Sequence, residues 1–399
     1  MALSYTQLIR FDLLSEIESS LEINGIDMLM KFFALQQEIN IVDRLIREMP
    51  SFPHSNKQIF RNELVSAIGS TLAIEGISLE REEIDEVLQE PDLKHKIEKK
   101  QQEALNSRNV YNYVKKEIDN CEGDFIFTID HICKIHEYFT DGIEYPGNYP
   151  GRFRNTGAIF GDPKKKSLCG NYEDIFVAMK GFVEWLNRAE TGPWSGNAVA
   201  KAIMAHYYLT EIHPFGDGNG RMARAVEAMV LYANKINSYC FWSLANYWCV
   251  NRTEYITRLG DMRQTCNPCD FILWGSEGFL GEINRTKTLV LKKVKQLMFR
   301  DYVSWYYAGN KDRPVKKRIK QRNVNVLVLL ARFGKIKLEK LRSDPAYKAY
   351  YSNLASPVQT ANRDIDKMKS LVLIRITSSG DAEYIEPNYE IFNPLEYQV

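Results

Sequence analysis

Residues 213 to 224 read His-Pro-Phe-Gly-Asp-Gly-Asn-Gly-Arg-Met-Ala-Arg. One imidazole, one carboxylate, two guanidinium groups and three glycines fall within that run. Gly216, Gly218 and Gly220 do not favour helix, since each costs up to about 1 kcal/mol in a helix interior. They permit a tight turn with bare amides facing outward, and such a turn feeding a helix N-terminus is an anion site. Arg221 and Arg224 share the first turn of the helix that follows. Two cations there are unfavourable without an anion, so the spacing asks for a polyphosphate. Asp217 inside such a loop asks for a divalent cation bridging it to phosphate oxygens, and Mg²⁺ held by one carboxylate plus phosphates is the usual arrangement. His213 enters the loop just ahead, where it can act as general base.

Helices must position this run. Apolar residues recur at three and four over much of residues 1–300. The helix after the loop, Arg221 to about Ala233, turns Met222, Ala225, Val226, Met229 and Val230 to a core. Helices are expected before it at about Tyr172–Arg188 and Asn197–Glu211. Further upstream, Phe60, Leu64, Val65, Ile68 and Leu72 mark one helical face, and Gly76 supplies a stop. Ser78 is the expected N-cap of the next helix, with Glu80, Glu82 and Glu83 in its first turn. Helicity breaks from about Asp141 to Gly170, and Arg152–Phe160 reads as a small hairpin among loops.

The last hundred residues change character, with twelve Lys/Arg and two Asp/Glu between Lys311 and Arg342. Three helices are expected there: Val324–Phe333, one containing Leu338–Leu341, and one starting at Ser356-Pro357 with Ser as N-cap. Two strands, Leu371–Ile376 and Ala382–Ile385, flank a Ser-Ser-Gly-Asp turn. Three helices and a hairpin make a winged helix-turn-helix layout. The fold class is therefore mainly α, a helical bundle with a small β-hairpin, plus a C-terminal winged helix-turn-helix domain.

Composition bounds the rest. The 399 residues are 45% hydrophobic, 26% charged and 12% aromatic, which fits a globular chain and excludes a disordered or collagen-like one. Net charge is +1, so no global field draws nucleic acid or an anionic membrane, and any basic site must be local. No apolar run approaches the length of a membrane span, and the first residues lack a basic-then-apolar signal pattern. Seven cysteines, an odd count, suit a reducing cytoplasm better than a disulfide framework. Cys266 and Cys269 have redox spacing but no supporting context, and are not promoted.

The run at 213–224 resembles the signature of the Fic family, H-x-F-x-[DE]-G-N-G-R-x-x-R, and His213, Phe215, Asp217, Gly218, Asn219, Gly220, Arg221 and Arg224 meet every fixed position. The likeness extends over about 100–285. It implies an AMP transferase that moves AMP from ATP to a Ser, Thr or Tyr hydroxyl of a target protein and releases pyrophosphate, with ATP as substrate and Mg²⁺ (or Mn²⁺) as metal. His213 would take the hydroxyl proton, and Asp217 would hold the metal. The amides of Gly218, Asn219 and Gly220 would cradle phosphate, with Met222 and Ala223 beside them. Arg221 would neutralise pyrophosphate, Arg224 would grip the γ-phosphate, and Phe215 would anchor the loop.

Gly151–Gly161 resembles the family's flap hairpin, whose edge pairs with a target segment. Its Ala158, Ile159, Phe160 and Gly161 would cover the nucleotide. Asn251–Ile256 resembles the adenine-packing stretch, with Tyr255 and Ile256 in contact; the family's second aromatic and its Asn are replaced by Ile256 and Arg263. Thr71-Leu-Ala-Ile-Glu75-Gly76 resembles the inhibitory motif [ST]-x-x-x-E-[GN]. Glu75 would pair with Arg224 and leave the γ-phosphate without its partner, and the same Glu in relatives can help remove AMP.

These readings divide the chain into an N-terminal helical region at 1–100 with its inhibitory helix at about 57–76, a catalytic core at 101–285, a linker or helix at 286–311, and the winged helix at 312–399. The implied partners are a target protein docked on the flap, with self-modification, a homodimer and DNA contact through the winged helix as further ones, and no membrane. Gln359, Asn362 and Arg363 are the candidate base readers, flanked by Asp364 and Asp366. Two rival readings stand beside this one: a winged-helix transcriptional regulator or toxin–antitoxin component, and a Fic-fold enzyme transferring a different phosphate-containing group. His131, His136 and His206 read as satisfied core histidines, the aromatics of Ser238–Trp248 as core, and Lys164–Lys166 as a solvated loop.

Overall fold

The computed structural model describes residues 25–49, 53–89, 98–157, 169–188, 197–236, 244–265, 268–309 and 317–392. Its helices are α1 (Gly25–Glu48), α2 (Pro53–Ile74), α3 (Arg81–Gln89), α4 (Lys99–Asp119), α5 (Ile129–Thr140), α6 (Tyr172–Asn187), α7 (Ala198–Ile212), α8 (Asn219–Ala233), α9 (Leu244–Val250), α10 (Arg252–Thr265) and α11 (Cys269–Gly309). After them come α12 (Lys317–Phe333), β1 (Ile336–Lys337), α13 (Leu338–Ser343), α14 (Pro345–Tyr351), α15 (Pro357–Ser370), β2 (Ile374–Ser379) and β3 (Ala382–Pro387). The chain divides into two compact units, Met1–Thr288 and Leu289–Val399, and the division falls inside α11. No helix among the described residues is long and apolar enough to cross a membrane.

In the first unit α7 and α8 form the central pair. Ala202, Ile203, Met204, Ala205 and Leu209 of α7 are fully buried, as are Met222, Val226, Met229 and Val230 of α8. A helix apolar on all sides has to lie inside, and α7 does. Helices α4 and α5 pack on α8, α6 packs on α7, and α2 packs on α9, α3 and α4. Helix α2 ends as its sequence directs: Gly76 takes φ +83, the Gly76 amide donates to Ala73 O and the Ile77 amide to Leu72 O, both at 3.0 Å. That bond pair is a Schellman cap, which only a left-handed residue allows at little cost. The expected cap of α3 moves. Glu80, not Ser78, precedes the helix, because the Glu80 amide donates to Glu83 Oε2 (2.8 Å) and its carbonyl accepts from Ile84 (3.1 Å).

The expected hairpin at 152–160 is not a hairpin in its described part. Residues 151–157 run through turns and bends without strand pairing, and Ala158–Gly161 lie outside the described residues. The reason lies in Arg154. Its amide donates to Pro214 O at 2.9 Å, and its buried guanidinium donates to His213 O at 2.6 Å, Cys169 O at 2.9 Å, Ile212 O at 3.3 Å and Thr156 O. A backbone tied to the end of α7 in this way cannot offer its polar groups to a strand partner.

In the second unit Val326, Leu327, Leu330, Leu341, Met368 and Ile385 form the core with Phe299 and Val303 of α11. The sheet order is β1-β3-β2, all antiparallel, with Ile336 and Ile376 on either side of Ile385. Two elements escape the sequence pattern. Strand β1 is two residues long, too short to show alternation. Helix α14 hides behind Asp344-Pro345, which reads as a turn but works as a cap, the Asp344 side chain accepting from the Ala346 and Tyr347 amides. Ser356 does stand at the N-cap of α15 with Pro357 next, although its side chain makes no capping bond.

Candidate active site

The signature loop is braced from below. Phe215 is fully buried and stacks on His136, with ring centroids 3.8 Å apart and planes 2° apart. The His136 ring accepts from the Gly151 amide through Nδ1 and bonds Asp217 O through Nε2, both at 3.0 Å. This fixes a neutral ring donating from Nε2, and burial keeps it neutral by pushing its pKa down to about 4. Asn219 closes the turn, its side chain exchanging two bonds with the Phe215 backbone, at 2.9 and 2.8 Å. The Asp217 amide donates to Asn148 Oδ1 at 3.2 Å.

His213 ends α7 in the left-handed region, at φ 48 and ψ 61. A non-glycine residue there costs about 1–2 kcal/mol, and the Arg154 guanidinium on its carbonyl holds it. His213 is only partly exposed, and it is not among the residues lining the open cavity described below. Burial pushes its pKa down to about 4, Arg154 and Arg263 add to the depression, and Thr210 and Glu75 oppose it. At neutral pH the ring is uncharged and able to accept a proton.

Helix α8 begins at Asn219, two residues before its expected start, with Gly218 at φ 73 as N-cap. Each of the two arginines meets a carboxylate of the protein itself. Arg224 is 1% exposed. It donates from Nε to Thr71 Oγ1 (2.9 Å), and from Nη2 to Thr71 O (3.2 Å) and Glu75 Oε1 (2.5 Å). A Cβ on Gly220 would stand 2.6 Å from Glu75 Oε1, so the carboxylate rests directly on the first turn of α8 and would have to shift to make room for any larger residue. Burial pushes the Glu75 carboxyl up, but Arg224, Arg221 and Arg252 together outweigh it, leaving the pKa below the usual carboxylate value.

Arg221 is 3% exposed. It donates from Nη1 to Glu103 Oε2 (2.5 Å) and Tyr145 OH (3.1 Å), and from Nη2 to Asp217 Oδ1 (3.1 Å). The Tyr145 hydroxyl donates to the other Glu103 oxygen at 2.8 Å, and burial keeps it protonated by raising its pKa to about 12. The polyphosphate that the two arginines ask for is thus answered from within the chain, by Glu75 and Glu103. Sequence reasoning found the first and missed the second. One signal was available, since two buried cations need two anions and the 71–76 motif supplies one.

Glu75, Glu103, Asp217, Arg221, Tyr145 and Lys99 line one open cavity of about 580 Å³, large enough for a nucleotide or part of one. The Asp217 side chain is 43% exposed there. An accessible carboxylate beside a cradle for anions suits Mg²⁺, which binds by one carboxylate and keeps its other positions for water and phosphate.

Other expected contacts fall elsewhere. Tyr255 is 4% exposed, not at a surface open to a base. Its ring stacks on Trp248 at 5.2 Å, and its hydroxyl bonds His206 Nε2 at 2.8 Å. His206 in turn bonds Glu227 at 2.6 Å, which fulfils its reading as a satisfied core histidine. Ile256, half exposed, is the one of the pair at the surface. The Met222 and Ala223 side chains are fully buried, and the Met222 amide is spent on Gly218 O at 2.9 Å, so Met222 offers a phosphate nothing.

The sequence profile of the Fic/DOC family matches residues 126–231, which hold the whole loop, helix α7 and all but the last two residues of α8. The chain carries a Fic/DOC domain. Two relatives called "Protein adenylyltransferase Fic" are similar to it: one from Culex quinquefasciatus, 31% identical over 122 residues, and one from Nematostella vectensis, 35% identical over 104 residues. Those matches cover 31% and 26% of this chain and 22% of each relative, so the chain spans about a fifth of the length of the curated relatives it matches. In fold it is similar to a Fic family protein from Desulfovibrio desulfuricans, with a TM-score of 0.55 at 16% identity, over 90% of this chain and 95% of that one.

Proposed function

We propose that this chain is a protein adenylyltransferase held in check by its own Glu75. The observation that carries the reading is a carboxylate seated in the anion cradle, with Glu75 on Arg224 and over Gly220 at the start of α8. The names of the relatives matched over the Fic domain supply the reaction class. In this reading a Ser, Thr or Tyr hydroxyl of a target protein attacks the α-phosphorus of ATP. The new O–P bond forms as the bond to the β-phosphate oxygen breaks, pyrophosphate leaves, and His213 Nε2 takes the hydroxyl proton. The amides at the start of α8 hold phosphate oxygens. Arg221, oriented by Glu103, faces the charge of the leaving pyrophosphate. Arg224 meets the γ-phosphate only when Glu75 lets go. Asp217 would hold Mg²⁺, which, when bound, draws charge from the phosphate oxygens.

The finer parts of the reading go with it: a catalytic core at 101–285 behind an N-terminal inhibitory region, a C-terminal winged helix at 312–399, and a cytoplasmic site of action for a chain with an odd seven cysteines. The chain itself and a second copy of it are the first protein substrates to try. Incubation with ATP labelled on the α-phosphate tests the proposal. Label is expected on protein with Glu75→Gly, little with the unaltered chain, none with His213→Ala and none in EDTA. Mass spectrometry should find a gain of AMP. A gain of phosphate or UMP, or equal labelling by the unaltered chain and Glu75→Gly, overturns it.

A further inference from the structure

The +1 of the whole chain conceals two large opposed charges. Leu289–Val399 carries 21 Lys and Arg against 11 Asp and Glu, a net of +10, which leaves −9 for Met1–Thr288. The absence of a global field, expected from the total, therefore does not describe the second unit. Its acids are partly consumed inside it. Asp364 is buried against Arg322 at 2.6 Å, and Asp344 caps α14. Arg322 is spent in that same pair and Arg375 on Glu390, but Lys340, Arg342, Lys348, Arg363, Lys367 and Lys369 all stand exposed on α13, α14 and α15.

We infer that the outward face of α15 reads duplex DNA, with the basic side chains around it on the phosphates. The inward face of α15 is Ala361, Asp364, Ile365 and Met368. Gln359, Asn362 and Arg363 stand exposed in its first two turns. Those are the side-chain types that pair with base edges, Arg with guanine and Asn or Gln with adenine. Arg342 Nη2 donates to Asn362 Oδ1 at 2.7 Å, tying a phosphate-seeking cation to a base-reading amide. A helix of about 10–12 Å diameter fits a major groove of about 12 Å. The tip of the β2–β3 hairpin, Thr377 to Asp381, is exposed and offers three hydroxyls suited to backbone contacts. A protein-docking face would be richer in apolar side chains; on α15 the large exposed one is Val358. The inference does not rest on the proposed enzyme activity.

The test is titration of the full chain onto a fluorescent mixed-sequence duplex of about 30 bp, in salt raised from about 50 to about 200 mM. Saturable binding is expected at low salt, weakening about 10²–10³-fold over that range, as four to five neutralised phosphates require. The exposed double variant Arg363→Ala/Lys367→Ala should lose about tenfold or more with an unchanged melting temperature, and Arg363→Lys should recover the non-specific part. No saturable binding at low salt, binding unmoved by the double variant, or tighter binding to a single-stranded RNA of equal length overturns the inference.

Discussion

The two edges of the signature loop treat the same problem differently. At one edge Arg224 meets Glu75, whose side chain is 34% exposed and sits where α2 ends in a glycine cap. At the other Arg221 meets Glu103, 3% exposed and in the body of α4. Both contacts are 2.5 Å long. Their surroundings separate them. Glu103 is also bonded by Tyr145 and has nowhere to go without leaving charge in the core. Both carboxylates line the open cavity, but only the Glu75 side chain is substantially open to it. The helix itself is pinned, with Ser66 and Ser70 donating to Asn246, Arg285 to Glu63, and Arg252 to Ile74 O. In the proposed mechanism one carboxylate moves and the other holds, since a brake needs only its side chain free and a positioning pair needs the opposite.

The comparison can be broken most directly at Glu75. Glu75→Gly should raise incorporation of label from ATP about a hundredfold, since freeing Arg224 lets the nucleotide settle where a displacement of about 1 Å costs that much. Radiolabel counted on the chain measures it, and no change would end the distinction between a moving and a holding carboxylate. Glu103→Gln should act in the opposite sense. It should lower labelling about tenfold in the Glu75→Gly background, and cost about 3 kcal/mol or more of stability by leaving Arg221 as a buried cation without its main counter-charge. Denaturant unfolding reads that cost, which should exceed the cost of Glu75→Gly.

Thr71→Val sharpens the comparison on the brake side. It removes one hydrogen bond to Arg224, worth about 1 kcal/mol, and should raise labelling about fivefold. The smallest effect concerns pH. His213 stays neutral down to about 4, so labelling by Glu75→Gly should change less than about twofold from pH 8 to 6. A base with an ordinary imidazole pKa would lose about fourfold. Stability behaves otherwise. His213 and His136 are both depressed to about 4, so between about pH 6.5 and 4 the unfolded chain takes up protons that the folded chain refuses. Stability then falls as pH falls through that window, which urea midpoints at neutral and acid pH would record.

Much of this was legible in the residue order. The glycine turn, His213 ahead of it, the two arginines of α8 and the Thr71–Glu75 helix end that meets Arg224 all lie within short segments whose spacing carries the geometry. Local rules suffice there, because a glycine turn and a helix start fix neighbouring amides and side chains relative to one another. The cap of α3, the strand β1 and the helix α14 escaped because short elements hold too few residues to show a period. Tyr255 reads identically whether it faces a nucleobase or a core, since burial is a property of what packs over it.

The sequence by itself determined that an imidazole, a carboxylate, two guanidinium groups and three glycines meet within twelve consecutive residues, and that a carboxylate, Glu75, stands just before the helix stop at Gly76. Only the tertiary structure decided which charge answers which. Glu103 and Arg221 are 118 positions apart, Thr71 and Arg224 are 153 apart, and Arg154 reaches 59 positions to hold His213. No local propensity encodes such pairs. They follow from the demand that every buried charge find a partner once the helices have packed.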